Sequence, residues 1–217
     1  MFVRDDLRRC GLGRALVRAL MADAQEHGCG AAFLFSDIEP DYYAACGFRS
    51  YSAMDWLAPS DRLPDGDALA IRRARPEDWD RLRAWHEARL ADAALSPRRT
   101  PRWWDYFRWW RDAADDYVLC DGSGEVGYVN LRARDGALRV YEWAAPGIEA
   151  DRVWATVRGR AADLGAQRVE GWLHPGMIQP WMTVAVRRDA IPMVAPLNDD
   201  LVLPGPDDGV FEELDHF

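Results

Sequence analysis

"RRCGLGRAL", residues 8–16, is the stretch on which the reading of this chain turns. It follows a short apolar pair, Phe2-Val3, and runs directly into a helical pattern. Arg8, Gly11 and Gly13 fit R-x-x-G-x-G. Glycines let a backbone turn tightly enough for successive N–H groups to converge on phosphate oxygens. A following helix points the positive end of its dipole at the same spot, and Arg8, Arg9 and Arg14 add charge. The longer dinucleotide pattern G-x-G-x-x-G fails, because position 16 is Leu. The competing reading is a helix start with incidental glycines.

Outward from the loop, residues 9–28 predict a helix: Leu12, Leu16, Val17, Leu20 and Met21 recur at helical spacing and Gly28 stops it. "AAFLFS" (31–36) predicts a buried strand of a largely parallel sheet. "IEPDYYAACGF" (38–48) predicts a short helix after Pro40 that ends at Gly47, and "RSYSAMDWLA" (49–58) one further strand. The order is that of an α/β layer. The Pro, Gly and Asp cluster at 59–67 predicts a linker. Beyond it, 68–197 reads strand, two helices, three antiparallel strands, helix, strand, with one more strand-like piece at "WMTVAVRR". Residues 198–217 read as an acidic, irregular tail.

Hydrophobic residues make up 49% of the chain and aromatics 12%, enough to build a core. A net charge of -9 argues against a nucleic-acid partner, while the basic first twenty residues leave room for a local anionic ligand. The chain has no lysine, every cationic side chain beyond histidine being arginine, which we read as coding bias. Cys10, Cys29, Cys46 and Cys120 form no metal or disulfide pattern and read as packing residues. His86, His174 and His216 show no metal spacing. With no long apolar run, the expectation is a cytoplasmic protein without a membrane partner.

A second motif, "YYAACGF", places Tyr43 ahead of Gly47-Phe48, about thirty residues after the glycines. Together the two motifs resemble the GNAT (GCN5-related N-acetyltransferase) superfamily. Its acetyl-CoA loop reads R/Q-x-x-G-x-G/A, here Arg8 to Gly13, with Val3 at the usual apolar position of the preceding strand and "AAFLFS" as the strand between the motifs. "SDIEPDYY" further resembles a subset that includes fungal-type lysine N-acetyltransferases with an added GNAT-like C-terminal module. The resemblance covers residues 1–58. It implies that Val3, Arg8, Arg9, Gly11, Leu12, Gly13 and Arg14 form the acetyl-CoA site. It also implies that Tyr43 is the general acid for the departing thiolate, with Tyr42 as the alternative. A phenol suits that task, being a neutral donor with a pKa near that of a thiol. Asp37 is the carboxylate chosen for binding or orienting an amine; its other reading is a turn or cap.

A complete GNAT domain has three strands and two helices before the glycine loop, so residues 1–58 are expected to be a partial module. The element order of 68–197 is itself the GNAT order, yet its strand-to-helix junction, "YEWAAPGIEADRVW", lacks the glycine loop. The expected fold class is therefore α/β, a GNAT-like mixed sheet flanked by helices, with a partial first module and a degenerate second one. Glu142 in that junction reads as solvated or paired, with a base facing the first module as the other reading. The cluster "WWDYFRWW" (103–110) reads as packing, against its neighbour or another subunit, so a homo-oligomer is among the expectations. Because some tandem acetyltransferases lead a C-terminal carboxylate into the active site, Phe217 is marked too. The expected function is transfer of acetyl from acetyl-CoA to a primary amine of small-molecule type, with no metal. The alternative is a non-catalytic acyl-CoA-binding or interaction protein.

Overall fold

A computed structural model describes residues 3–110 and 116–215. The chain forms two units, one of residues 1–53 with 186–209 and the other of 54–185 with 210–217. Met1, Phe2, residues 111–115, His216 and Phe217 lie outside the described residues, as do the side chains of Phe107, Trp109 and Trp110.

Among the described residues the first unit opens with a 3-10 turn at Asp5–Leu7; Met1 and Phe2, part of the strand expected before the glycine loop, lie outside them. Helix α1 (Leu12–Glu26) follows, then β1 (Ala31–Ser36), α2 (Asp41–Ala44) and β2 (Arg49–Ser50). The sheet is antiparallel, not parallel: β10 (Ile191–Pro196) lies between β1 and β2. Because β10 comes from the far end of the chain, no crossover helix is needed to bring it alongside, and β1 becomes an edge strand with Phe33 exposed. The core here is small. Val17, Cys46, Phe48, Met193 and Ala195 are buried together, with Met21 and Tyr43 packed against them.

The single strand expected over 49–58 is two, in different sheets. Between them Tyr51 and Ser52 donate their N–H groups to Pro192 and Pro206 carbonyls, which diverts the chain from either ladder.

The second unit is built on a seven-stranded mixed sheet, ordered β4 (Ala70–Arg73), β5 (Asp116–Asp121), β6 (Gly124–Arg134), β7 (Ala137–Ala144), β8 (Arg168–Leu173), β3 (Met54–Pro59), β9 (Thr183–Val186). Only the adjacent pair β7–β8 is parallel among the registers described, and α5 (Ala150–Asp163) is its crossover. Val153, Trp154, Val157 and Ala161 of α5 recur at helical spacing and bury against Leu119, Val129, Leu138 and Val169 of the sheet. Helices α3 (Trp79–Arg89) and α4 (Pro101–Trp110) complete the unit. Trp104 packs edge-to-face on Trp79, with ring centroids 6.3 Å apart, and on His86 at 5.4 Å. Of the aromatic cluster, Trp104 is buried and Tyr106 exposed. From Ala70 to Val186 the expected order of elements is the observed one, while β3, expected with the first module, pairs with β8 in this sheet and β10, whose residues fall within the expected 68–197 module, lies in the other unit. Among the described residues no helix is long and apolar enough to cross a membrane.

The acidic end is not a loose tail. Val210 donates to the Leu95 carbonyl, and Glu212 and Asp215 are buried in the second unit. The acids are held by arginines the sequence placed far away: Arg89 and Arg99 for Glu212, Arg99 for Asp215, Arg139 for Glu213. Two cysteines depart from the packing expectation, Cys10 and Cys29 being exposed, while Cys46 is buried.

Candidate functional site

The loop before α1 is shaped by two left-handed residues. Arg9 has φ 65° and Gly11, the N-cap of α1, has φ 78°. An L-residue in this region costs roughly 1–2 kcal/mol, and Gly11 avoids that cost. Among the described residues no side chain caps the helix. The first intrahelical bond is from Ala15 N–H to the Gly11 carbonyl, so helix geometry leaves the N–H groups of Leu12, Gly13 and Arg14 without a backbone acceptor. Gly13 is buried at the turn. Free donors and a dipole of this kind are what helix N-termini offer to anions.

The loop walls a cavity of about 400 Å³, lined by Val3, Arg8, Arg9, Gly11, Leu12, Gly13 and Arg14, together with Leu7 and Tyr42. The structure thus gathers all seven loop residues singled out from the sequence. Arg8 spans between Asp5 and the Val3 carbonyl. That pair is exposed, with side-chain exposures of 62% and 88%, so it holds Arg8 only weakly and leaves it free to turn to a phosphate. Arg14 lies over the Tyr42 ring, 5.6 Å from its centroid.

The two tyrosines are split by α2. Tyr42 faces the cavity. Tyr43 is half-buried, edge-on to Phe48 with centroids 6.1 Å apart and to Tyr42 at 5.0 Å. Burial, then Tyr42 and Asp37, pushes the Tyr43 hydroxyl above its ordinary value of 10.0, which keeps it protonated and able to donate. Asp37 is exposed, and its Oδ1 accepts the N–H of Ala190, a left-handed residue with φ 46°, at 3.1 Å. The neighbouring Ser36 hydroxyl is buried and donates to the Ile38 carbonyl at 2.8 Å. Neither Asp37 nor Tyr43 lines the loop cavity.

A second polar centre lies inside the other unit, and sequence reasoning missed it. Arg99, whose side chain is 0% exposed, forks onto both oxygens of Glu142 at 3.1 and 2.7 Å and reaches Asp215 at 2.8 Å. Tyr128 O–H donates to Glu142 at 2.8 Å. His86 Nδ1 lies 3.3 Å from the Tyr128 oxygen and 3.5 Å from Glu212. Glu142 is therefore paired, the first of its two readings. Burial alone would raise its pKa, but Arg99 and then His86 hold it well below the usual carboxylate range. Burial pushes Glu212 up to about 8, with Arg89 opposing and Glu142 reinforcing. Burial pulls His86 down to about 4. Among the described residues, His86, Glu142 and Glu212 have metal-compatible spacing. Arg89 and Arg99 already neutralise those carboxylates and would repel a cation.

This centre predicts a pH profile. The raised pKa of Glu212 gives stability that is full below its ordinary 4.5 and is lost as pH rises through about 8. The depressed pKa of His86 gives stability present above 6.5 and lost as pH falls through about 4. The two slopes oppose each other between 4.5 and 6.5. Unfolding free energy should then fall by about 1–2 kcal/mol between roughly pH 6.5 and 8. Urea unfolding across this range checks it, and Glu212→Gln should flatten the alkaline limb; an unchanged slope in that variant would assign the loss to other groups.

Residues 1–49 match the family model described as the acetyltransferase (GNAT) family. A comparison with curated proteins found no match. The chain is similar in fold to a GCN5-related N-acetyltransferase from Anabaena variabilis, with TM-score 0.70, 16% identity, and 90% of this chain and 53% of that one covered. It is similar to Eis1 from Mycobacterium abscessus, with TM-score 0.60, 24% identity and 91% and 55% covered. It is similar also to a tandem GNAT protein from the clavulanic acid biosynthesis pathway, with TM-score 0.51, 13% identity and 92% and 74% covered. The chain spans about half the length of the first solved structures it matches.

Proposed function

We propose that this chain, whose residues 1–49 match the acetyltransferase (GNAT) family model and whose fold is similar to that of a GCN5-related N-acetyltransferase, moves an acetyl group from acetyl-CoA to a primary amine of a small molecule. One observation carries this reading. The uncapped first turn of α1, entered through left-handed Arg9 and Gly11, opens on a cavity of about 400 Å³ edged by three arginines.

A pyrophosphate fits that cradle. The N–H groups of Leu12, Gly13 and Arg14 would donate to its oxygens, and Arg8, Arg9 and Arg14 would balance its charge. Gly11 carries no Cβ, and a Cβ built there meets nothing within 4 Å, so the backbone lies open to ligand. Acetyl-CoA supplies the thioester. Transfer requires a neutral amine held near that carbonyl and a proton for the departing thiolate. Tyr43 is the proposed proton source, held neutral by burial. Asp37, exposed beside β1, is the proposed carboxylate for an ammonium.

Tyr43→Phe removes the proton while preserving the packing on Phe48. The expected result is a loss of about a hundredfold in kcat with KM for acetyl-CoA little changed. Tyr42→Phe should change kcat by less than about threefold if Tyr42 only packs on Arg14. Reversal of these two effects would move the acid to Tyr42. Turnover is read by free-thiol release across a panel of primary amines; binding of acetyl-CoA with no turnover on any amine would favour the non-catalytic reading.

A further inference from the structure

In the first unit β1 is an edge strand. β10 takes one side of it, and among the described residues no strand takes the other. The backbone groups along that open side are a template for a further strand. Burial is incomplete to match. Ala32 and Leu34 face α1 together with Val17 and Met21, yet both are only half-buried. Phe33 points to the opposite face of the strand and is 39% exposed.

Helix α1 has two unlike flanks beside its buried face of Gly13 and Val17. At about 3.6 residues per turn, Leu12, Leu16 and Leu20 fall within an arc of about 80° on one flank. They are 47%, 47% and 60% exposed. On the other flank Arg18 donates to the Ala45 carbonyl and Arg14 lies over Tyr42, so that flank faces α2. α2 leads away from β1 to β2, on the far side of β10. The leucine flank therefore faces the open edge of β1.

We propose that a second copy of this chain docks on this edge, with the two β1 strands antiparallel about a two-fold axis that passes through Phe33 normal to the sheet. Such an axis joins the two three-stranded sheets into one and keeps both copies of α1 on the same face. α1 packs on β1 and β10 together, through Ala32, Leu34, Met193 and Ala195, so it lies one strand spacing from the axis. Two spacings of about 4.8 Å then set the helix axes about 10 Å apart, a distance at which helices pack directly. The leucine flanks meet across that gap. On the other face Phe33 meets its own copy as a cross-strand aromatic pair. The same register sets Ala32 opposite Leu34, so each face stays consistent. Charge agrees in sign: α1 carries Arg14 and Arg18 in its first half and Asp23 and Glu26 in its second, and an antiparallel copy brings unlike halves and opposed dipoles together. An unrelated extended peptide would pair with the edge but leave the leucines exposed; a second copy covers both.

Sedimentation equilibrium of the full chain across the micromolar range tests this, and should show a reversible monomer–dimer equilibrium. Leu16→Glu and Phe33→Lys, both at exposed positions, should keep the far-UV circular dichroism of the parent and each weaken the dimer by at least about tenfold. In a Cys10→Ser, Cys29→Ser chain, Phe33→Cys should form a disulfide between copies under mild oxidation, because directly opposed Cα atoms of an antiparallel pair lie about 4.5–5.5 Å apart. Leu201→Cys, at an exposed position elsewhere in the same unit, should not. A chain that stays monomeric across that range would overturn the proposal. So would a dimer left intact by either substitution, or one that cross-links at position 201 as readily as at 33.

Discussion

An Arg8→Ala, Gly11→Ala chain should bind acetyl-CoA about a thousandfold more weakly than the parent. Two losses combine. Arg8 is weakly engaged in the exposed pair with Asp5, so it can turn to a phosphate. A charge-assisted hydrogen bond of that kind contributes roughly 1.5–3 kcal/mol. Gly11 has φ 78°, and alanine there costs roughly 1–2 kcal/mol in the left-handed region. The Cβ itself meets no neighbour within 4 Å, so the chain keeps its fold while the free loop relaxes out of the left-handed conformation, and binding must restore it at that cost. The sum is roughly 2.5–5 kcal/mol, centred near a thousandfold. Calorimetric titration of both chains checks it. An affinity change below about tenfold would mean that the cradle is not the phosphate site.

Arg99→Ala should lower the stability of the second unit by about 3–5 kcal/mol, because it strips the partner from buried carboxylates. Glu142 loses both of its arginine bonds and Asp215 loses the bond to Nε. Arg89 stays on Glu212. For a chain of this size that is a fall of about 6–20 °C in Tm. The carboxylates of the variant should take up protons, so the deficit should shrink at acid pH, where the carboxylates no longer repel one another. A fall of less than about 2 °C would show that the network contributes little. Arg99→Lys should recover only part of the loss, since an ammonium cannot fork onto both Glu142 oxygens.

The parts of this molecule that local rules govern were legible. The helix after Gly11 follows from its spacing of apolar residues and its glycine start. The turn through Pro40 to Gly47 is likewise local, and so is the strand, helix and hairpin order from Ala70 to Leu173. The loop residues Val3 through Arg14 meet at one cavity because they are neighbours in sequence. What the sequence hid depends on long-range pairing. β10 carries prolines at positions 192 and 196, which local rules count against an inner strand, yet it is buried between β1 and β2. Arg99 meets Glu142 across 43 residues and Asp215 across 116, and no local pattern marks any of them. The acids of the last segment looked solvated because their arginines come from α3, the segment before α4 and β7. The two tyrosines at 42 and 43 show the limit of motif spacing. It favours Tyr43 for the acid, while only the fold reveals that Tyr42 is the one facing the loop cavity.

The most direct test of the central claim compares acetyl-CoA with S-acetylpantetheine, which keeps the thioester and lacks the pyrophosphate, in titrations of the unaltered chain. If the α1 cradle holds the pyrophosphate, acetyl-CoA should bind at least about a hundredfold more tightly than the truncated donor. Equal affinities, or no binding of acetyl-CoA by the folded chain, would contradict it.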